Sequence, residues 1–412
     1  MLHRTASGPS TGRARSPQSG GPSRIAHLYR ELAGGAEITL LSLCDDPRRA
    51  GEQRPAAGLR ELCIAKSAAH LEAAAALDAE LGASVGDIAT LVHHQRTPAF
   101  GEALAREAER TDLVIASHPY LYPAIAAVYD GPLWYEAHNV EYDMKRAVIG
   151  SSAAAAPYLA HVREVEAAAC ARAQRVLVCS QDDVQRLDRL YGGVADKALL
   201  AANGVDTRAI AYTGPAERAR RKARLGLDGR LVALFIGSWH QPNIEAVAEL
   251  KRIAADCADV DFLVAGSVCD HAELRSHPSN LHPLGVLADA ELGVVAAAAD
   301  VALNLARSGS GTNLKMLHYA AAGLPILSTG FGLRGLALRP LEHLWQAETH
   351  AFPAALRALR ETDAAALGAM TERARLLVEQ RYDWRVIAAG VCAALEQDAG
   401  SGCAWHRSRT PG

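Results

Sequence analysis

The chain has 412 residues, of which 50 % are hydrophobic and 22 % charged, and a formal net charge of -3. That length calls for two hydrophobic cores rather than one, and so small a net charge excludes a global field that would hold the protein on nucleic acid or an anionic membrane. No apolar run reaches the roughly 18 residues of a bilayer span, and the eight cysteines form no C-x-x-C pair, which excludes a zinc-ribbon pattern and reads as buried thiols in a reducing compartment.

Residues 1–19 lack the apolar stretch of a secretory signal and read as a flexible arm. Gly20 and Gly21 precede a helix expected at 23–32. Strands are expected at 38–43, 113–116, 133–137, 176–179 and 198–201, with helices at 101–110, 157–173 and 182–191. The polar stretch 207–230 follows the turn Asn203-Gly204 and marks a hinge. Beyond it, strands at 231–236, 262–265, 301–305 and 326–328 alternate with helices at 243–255, 289–298 and 312–322. Most of these strands are wholly apolar, as in a parallel sheet covered on both faces, and the alternation predicts doubly wound α/β domains. A last helix at 384–397 carries Val386, Ile387, Val391, Ala394 and Leu395 on one face, which must be buried. A doubly wound domain usually opens with a buried strand, and residues 1–19 offer none. The expected bounds are an arm 1–19, a first domain 20–206, a second domain 207–381, a helix 382–398 and a tail 399–412.

The densest chemistry lies between Ala306 and Gly330. Gly309 and Gly311 let the backbone approach a ligand, and the helix expected from Thr312 presents free N–H groups and a positive dipole end. Arg307 and Lys315 add cations, and Ser308, Ser310 and Thr312 add hydroxyls. Together these describe a seat for a diphosphate rather than a plain glycine turn. A second group follows the strand at 133–137: His138, Asn139 and Glu141, either an acceptor or sugar site or simply the cap of the next helix. His118, at another strand end, belongs with them, and Gly20 and Gly21 offer either a second diphosphate contact or a plain helix start.

The stretch 309–335, with Gly-Ser-Gly-Thr-Asn-Leu-Lys-Met-Leu-His at its head, resembles the donor segment of family 4 glycosyltransferases of the GT-B type. Other segments resemble that family in the same order: Gly20-Gly21 with Arg24, the run from Tyr135 to Tyr142 containing His138-Asn139-Val140-Glu141, Val176 to Ser180, Asn203-Gly204-Val205-Asp206, and Gly237-Ser238-Trp239-His240-Gln241-Pro242-Asn243. The resemblance implies two Rossmann-like domains facing across a cleft, acceptor domain first and donor domain second, with a terminal helix crossing back to the first. It implies transfer of a sugar from a nucleotide-diphosphate sugar to a glycan, lipid-linked or small-molecule acceptor, with retention, no metal and no other cofactor. Donor contacts would come from Gly237, Ser238, Gly266, Ser308 to Asn313 and His318, catalysis from His138, Arg307 and Lys315. No nucleic-acid partner is implied. The location would be cytoplasmic, with peripheral contact at the inner face of a membrane left open. Two family glutamates are replaced here by Ser310 and His318; a neutral imidazole makes one hydrogen bond to a ribose hydroxyl where a carboxylate accepts two. A catalytically impaired relative and a nucleotide-sugar epimerase are the alternatives.

Overall fold

The computed structural model describes residues 20–227, 229–309 and 311–400. The described chain divides into two compact units, one of Ile25–Ala202 with residues 388–400, the other of Asn203–Ile387 with the start of the first helix up to Arg24. The arm 1–19, Ser310 and residues 401–412 of the tail lie outside the described residues, so the expectations made for them are not addressed by it. No described helix is long and apolar enough to cross a membrane.

The first unit holds strands β1 (Ile38–Cys44), β2 (Gly51–Ala56), β3 (Leu59–Ala65), β4 (Val114–Ser117), β5 (Leu133–Ala137), β6 (Arg175–Val178) and β7 (Ala198–Leu200). They form a three-stranded sheet in the order β1-β3-β2 and a four-stranded sheet in the order β4-β5-β6-β7. All neighbours are parallel except β2 against β3. Leu41 and Leu43 of β1 share one core with Val114, Ala116, Leu133, Tyr135, Val176 and Val178 of the second sheet. Covered on both faces, β5 has no exposed residue, which is why Leu-Trp-Tyr-Glu-Ala shows no alternation. Gly20 and Gly21 form the first turn of the helix Gly20–Leu32 rather than a loop ahead of it.

The second unit holds β8 (Leu231–Ile236), β9 (Val260–Ala265), β10 (Leu281–Gly285), β11 (Val301–Asn304), β12 (Ile326–Ser328) and β13 (Trp345–Gln346) in one sheet, ordered β10-β9-β8-β11-β12-β13. Every pairing is parallel. Phe235, Phe262, Val264, Val301, Leu303 and Leu327 pack beneath the helix Gln241–Asp256, which contributes Val247, Leu250 and Ile253. From β8 the chain winds one way through β9 to β10, then returns to β11 on the other side of β8 and winds outward to β13. The order therefore reverses between β8 and β11, and the carboxyl ends of those two strands flank the crevice where doubly wound sheets hold ligands.

Candidate functional site

The loop after β8 begins at Gly237, whose N–H donates to the Ala265 carbonyl at 2.9 Å. Gly266 follows β9 at φ +105, and a Cβ there would collide with the Gly237 carbonyl. These two glycines bring the loops together as no other residue pair would. Asn243, in the first turn of the helix Gln241–Asp256, donates from Nδ2 to the Ser238 carbonyl at 3.0 Å and locks the loop.

Across the crevice, the chain leaves β11 through Gly309 at φ +117 and Gly311 at φ +65. The helix then opens at Leu314, two residues later than the sequence suggests, with Asn313 at its cap position and, among the described residues, no side-chain hydrogen bond capping it. Thr312 is held in the preceding loop, where its Oγ1 accepts from Asn203 Nδ2 at 3.0 Å. Asn313 instead donates from Nδ2 to the Gly332 carbonyl at 3.2 Å. Charge and geometry at a helix start of this kind favour an anion.

Lys315 supplies the cation. Its Nζ donates to Asn243 Oδ1 at 2.8 Å and stands 4.3 Å from the centre of the Phe235 ring. Burial alone pushes its ammonium down to about 7, for no carboxylate offsets the desolvation. Arg307 is not its companion. That residue is exposed, and Glu249 feels its charge. The second cation is Arg334, which sequence reasoning passed over: its guanidinium bonds to the Gly311 carbonyl and lies 4.2 Å from the Phe331 ring centre. Its only sequence signal is a basic residue two turns past β12, which is ordinary. Ser308 gives its hydroxyl proton to Glu245 at 2.6 Å and so braces the loop. Asn304, fully buried, holds β12 and the following turn through Ser328 Oγ at 3.3 Å and the Gly332 carbonyl at 3.2 Å. His318 is half-buried one turn into the helix, and burial lowers its pKa while Asp289 opposes, leaving a neutral ring at pH 7. The same helix is tied to β8 by Tyr319, whose hydroxyl oxygen accepts from the Ile236 N–H at 2.8 Å.

The first unit has its own polar group at the carboxyl ends of β4 and β5. His138 is buried, and its Nε2 is shared by Ser117 Oγ at 2.9 Å and Glu136 Oε2 at 3.3 Å, which leaves that nitrogen occupied by the protein. Its ring stacks on His118 with centroids 4.1 Å apart. His118 adopts φ +64, a left-handed conformation uncommon outside glycine, and keeps part of its ring in solvent. Its Nδ1 meets Glu141 Oε1 at 3.0 Å, while Tyr120 donates to Glu141 Oε2 at 2.6 Å and Asn139 to Oε1 at 3.3 Å. Burial works against charge on Glu141, but His118 first, then Lys145 and Tyr120, hold its carboxyl at about 2. Burial likewise opposes a charged His118, yet Glu141 outweighs it and the imidazole pKa is raised. Glu141 does begin the next helix, Glu141–Ile149, but it caps nothing; its own N–H donates to Glu166 Oε1 at 2.7 Å. Among the described residues no group of His, Cys, Asp or Glu stands together as a metal site would require.

Solved structures share this architecture. Sucrose-phosphate synthase from Thermosynechococcus elongatus superposes with a TM-score of 0.73 at 16 % identity, covering 93 % of this chain and 94 % of its own. Anabaena HepE, solved with UDP and glucose, gives 0.65 at 14 % identity over 92 % and 97 %. Trehalose 6-phosphate synthase from Burkholderia multivorans gives 0.64 at 13 % identity over 97 % of each. The fold is thus GT-B, built of two Rossmann-like units. Residues 20–209 match the model of Glycosyltransferase Family 4. The chain thus has the GT-B fold of glycosyltransferases, and its residues 20–209 are similar to family 4 of those enzymes. No curated protein sequence matches it.

Proposed function

We propose that the protein transfers a sugar from a nucleotide-diphosphate sugar to an acceptor, with the diphosphate on the helix start at Leu314. The observation that carries this is Lys315: a cation held by Asn243 that, among the described residues, has no carboxylate partner and stands beside a helix start with no side-chain cap. Cleavage of the anomeric carbon–oxygen bond leaves negative charge on the departing phosphate. Donors already in place there lower the barrier because they need not reorganise during reaction. Lys315 and Arg334 fill that role, Gly237, Ser238, Gly266, Gly309, Gly311 and Thr312 shape the seat, and His318 gives a single hydrogen bond to the ribose. HepE, of the same fold, was solved with UDP-glucose, which makes uridine diphosphate sugars the first donors to test. In the first unit, His118 is the imidazole presented toward substrate, oriented by Glu141, and His138 supports its ring from behind. The acceptor is a glycan, a lipid-linked sugar or a small molecule. Transfer proceeds with retention and without a metal ion or further cofactor.

The test is donor consumption by Lys315→Ala with a panel of nucleotide sugars. The variant is expected to lose about two to three orders of magnitude in turnover, as when a preorganised donor is removed from a developing anion. Unchanged turnover ends this assignment. A wild-type protein that binds nucleotide sugars yet neither transfers nor hydrolyses them favours the binding-only reading raised by His318; a changed sugar on the nucleotide favours an epimerase.

A further inference from the structure

Of the described tryptophans, Trp134 and Trp384 are buried, and only Trp239 stands among the exposed large apolar residues, with 52 % of its surface in solvent. Its neighbours in the loop are Ser238, His240 and Gln241. Yet its position is fixed. The Trp239 N–H donates to Ser267 Oγ at 2.8 Å, and His240 N–H donates to the Ser238 carbonyl at 2.8 Å. The indole meets His271 edge to face, with ring centroids 5.2 Å apart and planes at 72°. His271 is itself held, its Nδ1 accepting from the Glu273 N–H at 3.2 Å. Two rings from two loops thus form a rigid aromatic surface open to solvent.

That surface sits beside the proposed diphosphate seat. Asn243 bonds both to Lys315 and to Ser238, so the cation and the residue before Trp239 share one anchor. Trp239 and His271 follow β8 and β9, on the side of the crevice away from β12. The run β8-β9-β10 with its connecting helix is one mononucleotide-sized half of a doubly wound sheet, and such halves carry the nucleoside at their carboxyl ends. A flat heterocycle leaving the diphosphate toward β9 would meet the indole.

We infer that Trp239, braced by His271, is the stacking platform for the nucleoside ring of a nucleoside diphosphate. This rests on the donor reading above and adds the residue that selects an aromatic ring at that end of the ligand. Base stacking on an aromatic side chain is sequence-tolerant, so the platform contributes affinity for a nucleoside without choosing among bases.

The experiment is calorimetric titration of the full chain and of Trp239→Ala and Trp239→Phe with UDP, GDP, inorganic pyrophosphate and UDP-glucose. Melting curves confirm that the surface substitutions leave the fold intact. Trp239→Ala is expected to weaken the preferred nucleoside diphosphate about tenfold or more, to leave pyrophosphate unchanged, and to be largely rescued by Trp239→Phe. Equal nucleotide affinity in wild type and Trp239→Ala overturns the platform while leaving the donor seat standing. Loss confined to UDP-glucose overturns it in favour of a sugar contact. A wild-type chain that binds none of the four overturns the donor reading and this inference with it.

Discussion

Lys315 Nζ lies 2.8 Å from Asn243 Oδ1, so a cation from the helix after β11 is held by an amide from the helix after β8. The two strands whose ends flank the crevice are joined at the point where a phosphate would enter. With its pKa down at about 7, Lys315 carries full charge only below neutrality. A bound dianion raises that pKa again, so docking takes up a proton. Pyrophosphate affinity is therefore expected to fall as pH rises from 6 to 9, and Lys315→Arg to flatten the dependence. Titrations across that range check it; affinity rising with pH would remove Lys315 from the seat.

The two arginines separate cleanly. Arg334→Ala is expected to cut turnover by about tenfold or more, since its guanidinium sits at the Gly311 carbonyl. Arg307→Ala is expected to stay within about twofold, as an exposed charge contributes little. Steady-state rates of both variants decide it, and the reverse order would restore Arg307.

Glu141 should be visible in acid stability. Its folded pKa, about 2, lies below the ordinary carboxyl value of 4.5, so its contribution is complete above the unfolded value and is lost as pH falls from near 4.5 toward 2. Glu141 is fully buried, and the effect is on the order of a few kcal/mol. Glu141→Gln removes that acid limb and lowers the His118 pKa, because the raising influence on the ring is gone. Denaturant melts from pH 2 to 7 and histidine resonances report the two effects separately.

Gly266→Ala places a Cβ against the Gly237 carbonyl at a backbone angle of φ +105. A loss of about 1–3 kcal/mol is expected, seen as a melting point lower by several degrees. Nucleotide affinity should drop with it. Normal melting and normal affinity would mean the two loops need not touch.

Chelation is expected to leave transfer untouched if the seat is, as proposed, built from Lys315, Arg334 and backbone amides. Assays with and without EDTA settle this, and a rate restored only by a divalent ion would replace the arginine and lysine roles.

Strands at the centre of each sheet were legible in the sequence. The bounds of β5, β8 and β12 coincide with those read from it, because buried parallel strands are uninterrupted apolar runs. The strands it missed include β2, β10 and β13, all at sheet edges. The first two contain proline, which an edge tolerates, and β13 is two residues long. In the proposed seat, the glycines and Lys315 stand out in the sequence because phosphate-binding loops favour small residues and a cation within a few positions. Arg334 was not, since only folding of the chain beyond β12 carries it to Gly311. Nor could spacing tell His118 from His138: the difference lies in which ring Ser117 and Glu136 occupy.

The left-handed backbone at His118 has a consequence for any selection experiment. Glycine and asparagine relax there more easily than histidine does, whereas β-branched residues are strained further. Glycine would gain that backbone relief but leave buried Glu141 without its first partner, so ranked by thermal tolerance histidine should still stand above glycine. The backbone relief of glycine should emerge only in a library built on Glu141→Gln, where the carboxylate no longer needs the imidazole.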